Sequence, residues 1–321
     1  KIDGLAQYPC FDITDEEKQN LYYIPAVQAY FDSTLSVQAR YTKAIPKLEE
    51  YLSKYPNGKY KDEIRFYLAE AHYGLGDEEQ GIAVYQELLS GPNNVYTEYS
   101  AARVASYYFN KEDYIQAIPY YKRIEQISKD PEKLSNAKLR LMVCHYNLEN
   151  WQNSALYAGK VIQDDTYPSN VLEEAHYIRA KSNYNQEYYM DAAASLFWLR
   201  DNLTSERGAE ARFLLGDIKF RDGDMEGALT EIENLLKMRP AYNYWIAKGI
   251  MLRSKVYMAQ DNLFQAEQDL KSIIQHYKNT TDGILDEANA LWDELMQLKD
   301  APKDIEEEGE RVIEIDGGNG N

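Results

Sequence analysis

Three apolar slots recur in phase along this chain. The first, a small residue, holds Ala44, Gly81, Ala117, Ser154, Ala192, Ala228 and Ala266. Four positions on stand Leu48, Tyr85, Tyr121, Ala158, Leu196, Ile232 and Leu270. Seven positions on stand Tyr51, Leu88, Ile124, Val161, Leu199, Leu235 and Ile273. This spacing marks one face of a helix, and successive copies lie 36 to 38 residues apart. Asp77, Asp113, Asn150, Asp224 and Asn262 stand four residues before the small slot, where a short polar side chain caps a helix. The fullest copy spans 208–240. Phe213, Leu215, Gly216 and Phe220 recur at helical spacing, Gly223 and Asp224 break the helix, and Pro240 stops the next. A helical pair of this kind cannot bury its own apolar faces, so the copies must stack.

The pattern predicts a first helix over about 21–37 and a partner from near Tyr41 to the turn Tyr55–Gly58. Further pairs follow over about 61–89, 97–128, 133–163, 171–201, 206–238 and 244–277. Pro46 and Pro119 are expected early in their second helices, which they should loosen by removing a backbone donor. A lone helix over Ile284–Leu298, carrying Leu291, Trp292 and Leu295, would close the stack. The expected organisation is an irregular lead-in with a cap over 1–20, seven pairs over 21–280, a capping helix over 281–299 and an acidic tail over 300–321. Eight acidic and two basic residues give the tail a charge of −6, a composition that favours disorder. Trp151, Trp198, Trp245 and Trp292 stand 47 apart but fall in four different places: a helix start, a second helix, an inter-repeat loop and the capping helix. They define no second repeat.

With its three slots in phase over seven copies, the chain resembles the tetratricopeptide repeat (TPR) family, whose pattern is a Leu-Gly pair, an aromatic, an Ala, an aromatic and a Pro. The resemblance covers roughly 21–280. It implies an all-α fold, a right-handed α-solenoid of about seven TPR-like helical pairs with a C-terminal capping helix. The period exceeds the family's usual 34 residues or so by about two to four, an excess expected in the loops between pairs. The stretch YPNGKYKDEIRFYLAEAHYGLGD, residues 55–77, is also similar to the longer repeats of bacterial cell-envelope proteins. Those include the Tol–Pal-associated repeat protein and the lipoprotein of the outer-membrane β-barrel assembly machine. This second likeness implies a periplasmic or envelope location.

Charge narrows the partners. The 35 Lys and Arg against 53 Asp and Glu leave −18, which repels nucleic acid and anionic lipid. No run approaches the roughly 18 apolar residues of a membrane span. Opening at Lys1 without an initiator Met or a signal peptide, the sequence reads as a mature form or an excised piece. Cys144 falls in a slot held elsewhere by Ala71, Ile218 and Val256, which predicts a buried thiol. Cys10 follows Pro9 rather than an apolar run and does not read as a lipid-anchor site. His72 and His145 share a slot with Tyr108 and Tyr257, and neither they nor His176 and His276 show metal-ligand spacing. No phosphate loop, nucleophile elbow or Cys-x-x-Cys occurs. The sequence therefore argues for no catalysis, no metal and no cofactor.

The family resemblance implies that the first helix of each pair lines a concave groove. The face expected to look inward carries Phe66, Tyr67, Glu70 and Tyr73, then Tyr99, Arg103, Ser106 and Phe109, then Asn136, Arg140, Val143 and Tyr146. It continues with Tyr177, Lys181 and Tyr184, then Phe213, Asp217 and Phe220. Five copies end this face with an aromatic: Tyr73, Phe109, Tyr146, Tyr184 and Phe220. Such a ladder either packs on the next helix or meets a ligand. The expected function is a non-enzymatic scaffold that holds a protein or an extended peptide. The alternatives are a small-ligand or glycan site stacked on the ladder, and an accessory subunit that only assembles a larger complex. Within the tail, Arg311–Ile315 alternates apolar and charged residues. It is a candidate to lie in its own or a neighbour's groove against Arg103, Arg140 and Lys181, giving weak self-association.

Overall fold

The computed structural model describes residues 13–164 and 166–300. Among them the chain forms α-helices and no strand. The helices are α1 (Asp15–Tyr30), α2 (Val37–Lys54), α3 (Lys61–Gly74), α4 (Glu78–Leu89), α5 (Thr97–Asn110), α6 (Tyr114–Ile127), α7 (Pro131–Asn147) and α8 (Trp151–Ile162). There follow α9 (Ser169–Asn185), α10 (Tyr189–Asn202), α11 (Glu206–Arg221), α12 (Met225–Lys237), α13 (Asn243–Ala259), α14 (Leu263–His276) and α15 (Ile284–Asp300). Two compact units divide the chain at Ser195 and Leu196. Cys10 and the acidic tail with its Arg311–Ile315 segment lie outside the described residues.

Helix ends follow from capping. Thr14 accepts the Glu17 amide and donates its own amide to the Glu17 carboxylate, a reciprocal pair of bonds that starts α1. The first helix thus opens six residues before Leu21 and stops at Tyr30, and Ser36 caps a second helix that begins at Val37 rather than near Tyr41. Apolar spacing marks a helical face, not its ends. With that start, Pro46 lies in the middle of α2 rather than early in it, and Pro25 lies inside α1. Trp245, expected in a loop, sits in the first turn of α13.

Asp113, Asn150, Asp224 and Asn262 each accept the amide three residues on. Asp77 instead turns its carboxylate to His72 Nδ1 at 3.3 Å. The residue before each cap is left-handed in six copies: Gly76, Gly223, Glu112, Glu149, Glu187 and Asp261. Only two of these are glycine, so four turns hold a side chain where it is disfavoured.

In the first unit each helix packs on the next, α1 through α9. Its small, +4 and +7 slots are buried, Gly81 and Ser154 among them. Gly81 is required by close approach: a Cβ there would stand 3.0 Å from the Ala69 carbonyl oxygen and the Tyr73 amide nitrogen of α3. Tyr51 is wholly buried, and its hydroxyl donates to Gln19 Oε1 at 2.9 Å and accepts the Tyr60 amide at 3.1 Å. Such pairing removes the cost of burying a polar tip. Cys144 is buried, and burial pushes its thiol up to about 12.

In the second unit α11 to α15 pack in the same consecutive way. Ala266, Leu270 and Ile273 of α14 and Ala247 and Met251 of α13 share a core with Ile284, Ala288, Leu291 and Leu295 of α15. That lone helix therefore covers the last pair. Glu231 of α12, its side chain 4% exposed, accepts from Arg200 at 2.9 Å, with Arg212 and Lys219 at 3.7 and 3.8 Å. Asp269 pairs likewise with Arg253 at 2.6 Å. Both acids lie three residues past a small slot, and cations hold each of them inside the stack.

Candidate functional site

In the first unit the candidate residues of α3 and α5 form one network. The Glu70 carboxylate accepts the Tyr85 hydroxyl from the core and the Tyr99 hydroxyl at 3.2 Å. Arg103 Nε lies 3.7 Å from the same carboxylate and donates to the Tyr99 hydroxyl at 3.0 Å. Its guanidinium also sits over the rings of Tyr73 and Tyr99, at 4.8 and 5.0 Å. Phe66 stacks on Tyr96 at 4.8 Å and meets Tyr99 edge-on at 5.5 Å. Burial first, then the hydrogen bond to Glu70 and its charge, raise the Tyr85 hydroxyl above its ordinary range, so it remains a donor.

The link from core to face is a slot rule. Glu70 and Ser106 stand eleven residues before Gly81 and Ala117, and each meets the tyrosine at the +4 slot of its own pair. The Ser106 hydroxyl faces that of Tyr121, opposing the rise that burial gives it, while Glu70 accepts from Tyr85. In the next copy Val143 and Ala158 fill these two positions, and neither offers a side-chain polar group. A polar face residue is thus present where a buried hydroxyl needs one.

The aromatic ladder packs mainly within its own pair. Phe109, Tyr146 and Tyr184 meet the opening residue of the following helix, Tyr114, Trp151 and Tyr189, edge to face at 5.6, 5.7 and 5.5 Å. Half-buried and stapled in this way, the rings keep part of their surface open. Arg140 of α7 lies over Phe109 of α5, its guanidinium carbon 4.5 Å from the ring centre. Arg140 forms no ion pair among the described residues, unlike Arg103. Tyr177 and Lys181 of α9 are also half-buried. In the second unit Phe213 packs on Trp245 at 5.6 Å, Asp217 pairs with Arg221 at 2.5 Å, and Phe220 borders an open depression of about 430 Å³ with Lys255 and Met258.

Residues 34–95 and 177–244 match the tetratricopeptide repeat family model. Those two stretches carry tetratricopeptide repeats. A TPR protein from Parabacteroides merdae is 17% identical, with 86% of this chain and 98% of that chain covered, at a TM-score of 0.39. The Naa15/Naa10 structure bound to HypK-THB is 13% identical at a TM-score of 0.53; the match covers 90% of this chain and 40% of that one. At that identity the likeness establishes the fold. Comparison with curated proteins finds no match.

Among the described residues, no cluster of three or more His, Cys, Asp and Glu is placed to hold a metal ion. No helix of the described residues is long and apolar enough to cross a membrane. The sequence reading missed the Tyr85–Glu70 bond, although the tyrosine at an otherwise aliphatic slot was its signal. It also missed a cleft of about 600 Å³ in the second unit, between the start of α13 and the end of α14. Tyr244, Ile250, His276 and Tyr277 line it, and it contains none of the predicted residues.

Proposed function

We propose that this chain is a non-enzymatic scaffold whose first-helix face in the first unit binds an extended protein segment. Tetratricopeptide repeats commonly serve protein binding, and a stack of helical pairs offers a continuous surface to a long partner. The observation that carries the reading is Arg140. It is a half-buried guanidinium resting on Phe109, within a row of half-buried rings, and no acid of the described residues takes its charge. Rings give a partner apolar contact at small entropic cost, and a bare guanidinium selects a carboxylate. The segment best matched carries an acidic residue beside an apolar one. The stacked-glycan alternative gains less support, because the ladder rings turn their edges and faces to their own pair rather than into an enclosed pocket.

Selection from a random twelve-residue peptide library on the full chain tests the reading. Enriched peptides should pair acidic with apolar residues, and Arg140→Ala should weaken them about tenfold or more, the cost of one charge-assisted contact. No enrichment, or undiminished binding to Arg140→Ala, would overturn it.

A further inference from the structure

The cleft between α13 and α14 has an apolar floor. Ala247 of α13 and Ile273 of α14 are buried in it, while Ile246 and Ile250 of α13 are only half-buried. Tyr244 and Tyr277 add two half-buried rings to the lining. The volume of about 600 Å³ falls within the roughly 300–1,000 Å³ of small-molecule sites and exceeds what one side chain fills. Apolar surface left open in a concave space favours an apolar body that displaces water from it.

One side of the cleft is held in shape by its own hydrogen bonds. Asp282 accepts the Tyr277 hydroxyl at 2.5 Å through Oδ2 and the Ile284 amide at 3.2 Å through Oδ1. Asn279 Oδ1 accepts the Thr281 amide and hydroxyl at 3.1 and 3.0 Å. Gly283, at φ 82°, then turns the chain into α15. A site formed in advance loses little on ordering when a ligand enters.

Charge selects the head group. The fixed charges of the lining are Asp282 and Lys278. Both Asp282 oxygens are taken by the fold, whereas Lys278 is exposed and forms no ion pair among the described residues. An ammonium beside an apolar floor complements a carboxylate joined to an apolar body. A chain of net charge −18 repels a polyanion, so a single negative charge suits the cleft best.

We propose that this cleft is a second binding site, built of other residues than the first-unit face, for a small amphiphile with an apolar body and one carboxylate. The body lies on Ile246, Ile250 and Ile273 beside the two tyrosine rings, and the carboxylate meets Lys278.

Three probes that share one apolar body and differ in the head test this on the full chain by ligand-observed NMR titration: phenylbutyrate, phenylbutanol and phenylbutylamine. Phenylbutyrate should bind about tenfold or more tighter than the other two, the effect of one charge-assisted contact. Lys278→Ala should remove that advantage. Ser272→Trp, which sets a large ring on the exposed rim, should abolish binding. Circular dichroism checks that both variants fold. Arg140→Ala should bind phenylbutyrate as the parent chain does, so this site and the peptide-binding face can fail separately. No phenylbutyrate binding at millimolar concentration would overturn the proposal. So would equal binding of the three probes, undiminished binding to either cleft variant, or its loss in Arg140→Ala, which would assign the probe to the first unit.

Discussion

Arg103 lies over the Tyr73 ring as Arg140 lies over the Phe109 ring, at 4.8 and 4.5 Å, in consecutive copies of the repeat. The two arginines occupy one slot but meet different surroundings. Glu70 stands 3.7 Å from Arg103, while no carboxylate of the described residues reaches Arg140. One cation is held by an acid of the fold, and the other has no acid partner among the described residues.

The Glu70 network can be separated from binding. Glu70→Ala would leave the buried Tyr85 hydroxyl without its acceptor, at a cost of about 1–3 kcal/mol. Arg140→Ala removes only a partly exposed cation–ring contact, worth about 0.5–1 kcal/mol. Urea unfolding of the two variants should show this order. Equal losses would mean that Tyr85 finds another acceptor.

The ladder rings have a packing role that binding alone does not explain. A double-mutant cycle on Tyr146 and Trp151 should give a coupling of about 0.5–1.5 kcal/mol, as edge-to-face pairs do. If the rings also contact a partner, Tyr146→Ala with Tyr184→Ala should weaken peptide binding while helical content stays nearly intact. Loss of helix in that double variant would restrict the rings to packing.

Four of the left-handed turns invite glycine. At Glu149, with φ 53°, Glu149→Gly relieves a conformation that side chains disfavour by about 1 kcal/mol. The melting temperature should rise slightly. A fall would show that the Glu149 side chain makes a contact worth more than the relief.

Small-residue slots should resist enlargement. Gly81→Ala places a methyl 3.0 Å from backbone atoms of α3, and Ala228→Leu puts a large side chain where none of the alanine is exposed. Each should cost about 1–3 kcal/mol by overpacking. An unchanged melting curve in Ala228→Leu would displace the sixth repeat from its register.

Acid should destabilise the first unit partly through His145. It is 3% exposed, stacked on Tyr157 at 5.7 Å, and neither ring nitrogen has a partner. Burial, with Lys122 adding to it, lowers its pKa from 6.5 to about 4. The unfolded chain thus binds the proton first, so stability is kept above about pH 6.5 and lost as pH falls towards 4. His145→Phe should lose less stability than wild type between pH 7 and pH 5, by on the order of 1–2 kcal/mol. Parallel curves for the two proteins would exclude this histidine as the source.

The recurrence of three slots was enough to determine the repeat and its core. Ala44 through Ala266, with the residues four and seven on, are buried in all seven copies. The reason is that a helix repeats every 3.6 residues or so, and a stacked pair must hide one face. The caps at Asp113, Asn150, Asp224 and Asn262 were legible for a similar reason, since each bond spans only three residues. Only the tertiary structure decided which face residues are spoken for. Glu70 meets Tyr85, Arg103 meets Glu70 and Arg140 meets Phe109 across 15, 33 and 31 positions of sequence. Contacts at that separation depend on how one helix crosses the next, and hydrophobic spacing carries no record of it. The start of α1 lay between these cases: Thr14 and Glu17 were readable as a capping box, but a search led by apolar residues began at Leu21.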